Sequence, residues 1–270
     1  MLPFLMINRD SLPTIMETRP SRWQVFFNRM LYRLYKTRAI KSGPQNGYSP
    51  EPTVTSEIVE KTQHLKDRKD WNLQLKTCRY ILFDTETTGF YPYQGDEIIS
   101  IGAVVVENGE ICKDQYFHQL VNPYRSIPPA VVELTGISNE MVADKPGICS
   151  VLNEFMDFIG DSVLVAHNAD FDLAFLNIKL NWYTQTEIYN PVLDTLKLSR
   201  ALCPELLSHD LDTLLKYHNV PCVDRHTALG DSLMTAEVFL DHLTKLEEKQ
   251  IDTLKQVYYY LHVKNTMAYC

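Results

Sequence analysis

Ten residues, EIISIGAVVV (97–106), constrain the fold more than any other stretch. They are apolar almost without interruption and rich in β-branched side chains, so they read as a strand buried on both faces. A sheet holding such a strand needs helices on each side of it. The next residues, ENGE (107–110), contain Asn108-Gly109, the strongest short hairpin signal, and predict an antiparallel return strand over 111–121. An apolar run over 79–83 gives a strand ahead of this pair. After Pro128 the pattern turns helical, with Val151, Leu152, Phe155, Met156 and Ile159 on one face. SVLVAHN (162–168) predicts a fourth strand, residues 170–181 a helix, PVLD (191–194) a short fifth strand, and 228–248 a long final helix. The expected fold is α/β, with a mixed five-stranded sheet flanked by helices.

The chain of 270 residues is long enough for one sizeable core and an appendage. Charge divides it. Residues 1–77 hold 13 Lys and Arg against 7 Asp and Glu, and residues 78–270 hold 13 against 27, so a basic extension precedes an acidic body. RPSRWQVFFNRMLYRLYKTRAIK (19–41) carries seven basic and no acidic residues. Its Trp23, Phe26, Phe27, Met30, Leu31 and Leu34 recur at helical spacing, which predicts a basic amphipathic helix. Such a helix suits a membrane surface, a partner protein, a nucleic acid or the body itself. The expected organisation is an extension over 1–41, a linker and short charged helix over 42–76, the main domain over 77–250 and a C-terminal helix or tail over 251–270. Six scattered cysteines without a C-x-x-C pair argue against a disulfide scaffold or zinc site. The opening MLPFLMIN lacks a basic leader, and no apolar run reaches the roughly 20 residues of a membrane span, so a soluble cytoplasmic protein is expected.

The strand over 79–83 runs into Asp84-Thr85-Glu86-Thr87-Thr88-Gly89-Phe90. Side chains alternate along a strand, so Asp84 and Glu86 share a face and Thr85 points away. Two carboxylates so close repel each other, unless a divalent cation binds between them. Gly89 would let the chain turn sharply and a ligand approach the backbone. HNADFD (167–172) puts Asp172 in the first turn of a helix behind a strand end, where ligands gather in α/β sheets. Asp170 is expected to cap that helix. HTALGD (226–231) places His226 before the last long helix and Asp231 in its first turn. Asp194 and Asp212 read as plain caps of TLKLSRAL and TLLKYH.

In this order FDTETTG, HNADFD and HTALGD resemble the three motifs of the DEDDh (DnaQ-like) 3′-to-5′ exonucleases, a family that includes the proofreading epsilon subunit of bacterial DNA polymerase III, RNase T and oligoribonuclease. The likeness extends over about residues 79–242 and takes in ELTGIS (133–138). The resemblance implies a ribonuclease H-like fold and stepwise hydrolysis from a 3′ end, releasing nucleoside 5′-monophosphates from DNA or from RNA. It implies two Mg²⁺ ions, replaceable by Mn²⁺. Asp84 would bridge them, with Glu86 and Asp231 completing one site and Asp172 holding the other. His226 would act as the base, its spacing to Asp231 matching the histidine branch of the family. Thr87, Thr88, Phe90 and His167 are the candidates for holding the terminal nucleotide. Partners would be nucleic-acid 3′ ends, single-stranded ones favoured, and, through residues 19–41, a protein such as a polymerase or a membrane surface.

Overall fold

A computed structural model describes residues 43, 47–66 and 71–267, with side chains as far as Lys264. The basic helix expected over residues 19–41 lies outside the described residues. Among them, no helix is long and apolar enough to cross a membrane.

Five strands form one sheet: β1 (Tyr80–Thr87), β2 (Ile98–Glu107), β3 (Glu110–Leu120), β4 (Val163–Ala166) and β5 (Val192–Asp194), in the order β3-β2-β1-β4-β5. β1 to β3 are antiparallel neighbours, whereas β4 runs parallel to β1 and β5 parallel to β4. The turn between β2 and β3 is the one expected. Asn108 and Gly109 take φ of 54° and 78°, the double left-handed conformation whose twist suits two flanking strands. Every residue of β2 but its last is buried, as its apolar run requires.

Helices cover both faces. On one, Ile81, Phe83, Ala103 and Val105 pack against α4 (Ile148–Ile159), α5 (Asp170–Thr184) and α1 (Pro52–Lys66). On the other, Tyr80, Leu82, Val104 and Val106 meet α6 (Thr195–Leu202), α8 (Ala228–Glu248) and α9 (Leu254–Met267). The short helices α2 (Pro129–Thr135) and α3 (Asn139–Val142) lie along the chain between β3 and α4, and α7 (Leu211–Tyr217) precedes α8.

The segment ahead of the sheet differs from expectation in where its helix starts. The composition of residues 42–56 suggests a linker, but α1 begins inside it, at Pro52. Proline suits a first helical turn, since its φ is already helical and its missing N–H would have no partner there. Ile58 and Leu65 of α1 are buried, each contributing roughly 1.5–3 kcal/mol by leaving water. Upstream, Tyr48 stacks on Tyr124 at 5.0 Å and fills the space that a side chain at Gly147 would occupy. The C-terminal segment is likewise built in: Leu254 and Val257 of α9 are fully buried. From α9 the Tyr258 hydroxyl donates to the carbonyl of Val192 at 2.7 Å and accepts from its N–H at 3.0 Å, so one side chain satisfies both main-chain groups of a residue on the outermost strand β5.

Candidate active site

Along β1, Tyr80 and Leu82 pack on the α8 side of the sheet, and alternation carries Asp84 and Glu86 onto that side too. The start of α8 comes to meet them. Gly102 lies opposite Asp84 on β2, and a Cβ there would fall 2.2 Å from the carbonyl carbon of Ala228, so only glycine lets the helix begin so close to the sheet. The Ser232 hydroxyl donates to the Gly102 carbonyl at 3.0 Å and pins the contact. Thr227 caps α8 by accepting from the Gly230 N–H, which fixes the first turn and with it Asp231. Carboxylate oxygens of Asp84, Glu86 and Asp231 consequently lie within 4.8 Å of one another. The register of β1 and β2 slips just past Glu86, a bulge of the kind that re-aims side chains beside active sites.

Asp172 arrives from the opposite face. It is buried in the first turn of α5, and Oδ1 accepts both the N–H (3.0 Å) and the hydroxyl (2.6 Å) of Thr85. Thr85 thus points away from Asp84 and Glu86, as alternation requires, and in doing so orients a fourth acid. The cluster carries the electrostatic signature of its crowding. Burial, then Asp172, Glu86 and Asp231, raise the Asp84 carboxyl well above the usual range. Burial, then Asp231 and Asp172, push Glu86 up to about 8, and burial takes Asp172 to about 7 against the opposing bonds from Thr85. Four oxygen-only donors that cannot all ionise together fit a hard divalent cation.

One cation already faces them, and sequence reasoning missed it. Arg225 donates from Nε to Asp212 at 2.7 Å and from Nη1 to Asp231, and Nη1 also lies 3.3 Å from Nδ1 of His226. Its position depends on a loop whose flanking residues, Asp224 and His226, both have positive φ (52° and 63°), which no spacing rule reveals. His226 itself is half-buried, and its N–H approaches Oδ1 of Asp231 at 3.4 Å.

The remaining candidates divide. Phe90 is 74% exposed, with its ring 6.2 Å from that of Phe171, so it is no part of the core. Thr87 donates its hydroxyl to the Gly89 carbonyl. Thr88 is buried, its N–H bonded to the Glu97 carbonyl and its hydroxyl accepting from the Glu97 N–H. Gly89 does not take a positive φ, and a Cβ there would meet the Asp96 carboxylate at 2.3 Å, so its small size makes room for that side chain. His167 is half-buried at the end of β4 with Nδ1 3.0 Å from the Thr195 hydroxyl, and burial lowers its pKa. Asp170 is the first residue of α5 and pairs with Lys197 instead of capping. Asp194 caps α6 as expected. Asp212 does not cap α7, because Asp210 takes that role and leaves Asp212 to Arg225.

The exonuclease family model typified by RNase T matches residues 81–239, which take in part or all of each strand and every acid of the cluster. This chain belongs to the exonuclease family. The exonuclease is 41% identical over 173 residues to a DNA polymerase III of PolC type from Bacillus subtilis, covering 64% of this chain and 12% of that one. It is 43% identical over 185 residues to a DNA polymerase III subunit epsilon-like protein of Rhodobacter capsulatus, covering 68% and 26% respectively. The exonuclease thus spans about a quarter or less of the length of these relatives. Its fold is that of the nuclease domain of 3′hExo, a DEDDh family member solved with rAMP bound, at a TM-score of 0.54 and 20% identity over 64% of this chain and 94% of that one. The mixed sheet flanked by helices is accordingly ribonuclease H-like, and residues 81–239 form an exonuclease domain.

Proposed function

We propose that the exonuclease removes nucleotides from the 3′ end of DNA as nucleoside 5′-monophosphates, in proofreading or repair, with two Mg²⁺ ions held by Asp84, Glu86, Asp231 and Asp172. The observation that carries this reading is the meeting of three carboxylates within 4.8 Å, with Asp172 held beside them by Thr85. A metal pair in such a site supplies a hydroxide near neutral pH and stabilises the leaving oxyanion. The chain's own residues do the rest. Asp84 faces both Asp172 and the Glu86–Asp231 pair, so it is the acid placed to serve two ions. His226, whose N–H approaches Oδ1 of Asp231, takes the proton of the attacking water. Phe90, which is exposed, stacks on the terminal base, and Thr87, Thr88 and His167 hold the terminal nucleotide. DNA is favoured because the relatives in Bacillus and Rhodobacter are DNA polymerase III proteins.

The body holds 27 acidic against 13 basic residues, which disfavours a polyanion away from the metals. We assign strand attraction to the basic residues 19–41, whose apolar stripe docks on a partner such as a polymerase. Because Tyr48 and α1 belong to the body, the informative truncation stops at residue 46. It should leave turnover of short oligonucleotides near intact and make the dependence of log affinity on log salt shallower, by somewhat less than one unit for each phosphate that is no longer neutralised. An unchanged slope would overturn that assignment, and loss of binding to anionic vesicles on the same truncation would point to a membrane surface. The main reading is tested with 5′-labelled single-stranded and duplex DNA and RNA, with Mg²⁺, Mn²⁺ or chelator. Shortening from the 3′ end of DNA only with metal supports it; faster shortening of RNA overturns the choice of substrate, and unimpaired shortening in chelator overturns the metals.

A further inference from the structure

We infer that Arg225 is a built-in counter-ion that a divalent metal must displace, so that this side chain, and not the acids alone, sets how tightly the exonuclease holds its metal. The inference rests on the reading of the acids as metal ligands. Its grounds are geometric. The guanidinium is anchored at one end by Asp212 on the first turn of α7, at 2.7 Å from Nε, and at the other it grips Asp231, one of the three acids that converge. The side chain is only 24% exposed, so its charge acts through a medium that screens it less than water does. An Arg fork is permanently charged and matches a carboxylate, which makes it a fair stand-in for a metal ion.

A metal that takes Asp231 as ligand competes with this grip. The guanidinium, still tethered through Nε, keeps an Nη group at the edge of the site, beside Nδ1 of His226. Two consequences follow that a merely structural ion pair would not produce. Removing the charge frees Asp231 and leaves the acids more negative, so metal binds tighter. The same change leaves the carboxylates without a counter-ion when metal is absent, so the metal-free fold weakens while the loaded fold does not.

The test compares the full-length protein with Arg225→Gln and Arg225→Lys, reading Mn²⁺ affinity by calorimetry or electron paramagnetic resonance and melting temperature in chelator and at saturating Mn²⁺. Arg225→Gln is expected to bind Mn²⁺ about tenfold tighter or more, to melt lower than the parent in chelator and to melt within about a degree of it when loaded. Arg225→Lys keeps the charge, so its affinity stays within about threefold of the parent, and it preserves the test if the Gln variant does not fold. Unchanged or weaker Mn²⁺ binding by Arg225→Gln, or equal melting losses in both states, overturns the inference alone. An unsubstituted protein that binds no Mn²⁺ overturns the metal reading, and this inference with it.

Discussion

Asp231 in the first turn of α8 and His242, about three turns further along the same helix, are both buried, yet they mark two different kinds of polar interior. At the first turn, acids of one sign converge from β1, α5 and α8, and burial holds their protons on. Around His242, imidazoles gather instead: His218, bonded to Asp241 at 2.7 Å, has its ring 5.6 Å from that of His242, whose two nitrogens have no hydrogen-bond partner among the described residues. Burial, then His218 and Lys245, lower the pKa of His242 to about 3. The difference lies in how each cluster can be relieved. A neutral imidazole costs the fold a desolvated polar group and no more, whereas four carboxylates stay in conflict above neutral pH until a cation joins them. One end of α8 asks for a ligand; the other asks only to be kept from acid.

Breaking the first cluster has the largest expected effect. Asp84→Asn should reduce nucleotide release from a labelled 3′ end by about 10³-fold or more, several kcal/mol of transition-state stabilisation being lost with the metals. It should at the same time raise the melting temperature in chelator at pH 8, because one of the repelling charges is gone. A variant retaining a tenth of the parent's rate would remove Asp84 from the site. His226→Ala tests the neighbouring role. It should slow turnover by about 10²- to 10⁴-fold with Mn²⁺ affinity unchanged; a weakened affinity would make His226 a ligand instead of a base.

The two clusters also predict opposite responses to pH in chelator. Glu86 and Asp172 hold protons in the folded protein to about pH 8 and 7, against usual values of 4.5 and 3.8. Over that window the folded state binds more protons than the unfolded one, so stability falls as pH rises, and Glu86→Gln should flatten the decline. Urea midpoints between pH 5 and 8 measure it, and a decline untouched by the substitution would count against the crowding. His242 acts at the other extreme. Its folded pKa is about 3 and its usual value 6.5, so below 6.5 the unfolded state binds the extra proton and stability falls as pH drops, at up to ~1.4 kcal/mol per unit. His242→Leu should reduce that slope and leave nuclease rate at neutral pH within about twofold, the smallest of these effects.

Much of this is legible in the chain because it depends on neighbours in sequence. The apolar run over residues 97–106, the Asn108-Gly109 turn and the helix over Ala228–Glu248 follow local patterns, and the order of the three acidic motifs carries the fold and the core of the site. What escapes depends on residues far apart. Thr85 looks inert in the sequence because Asp172, its partner, lies 87 positions away. Arg225 looks like a loop residue because Asp212 reads as a cap, a role that Asp210 takes. Pro52 sits in a stretch with linker composition, and only the burial of Ile58 under the sheet shows that a helix starts there. At Gly89 the sequence does not show that the side chain of Asp96 comes close to its backbone, seven positions along the chain.

The outer border of the sheet at β5 raises a matter of company rather than catalysis. A bare strand edge recruits other strands, including those of a second copy of the same protein. Here the Tyr258 phenol, donating a hydrogen bond to the Val192 carbonyl and accepting one from its N–H, occupies main-chain groups that another strand would need. Tyr258→Phe should therefore leave the nuclease chemistry alone while freeing both groups at this edge, which a rise in self-association on sedimentation would register.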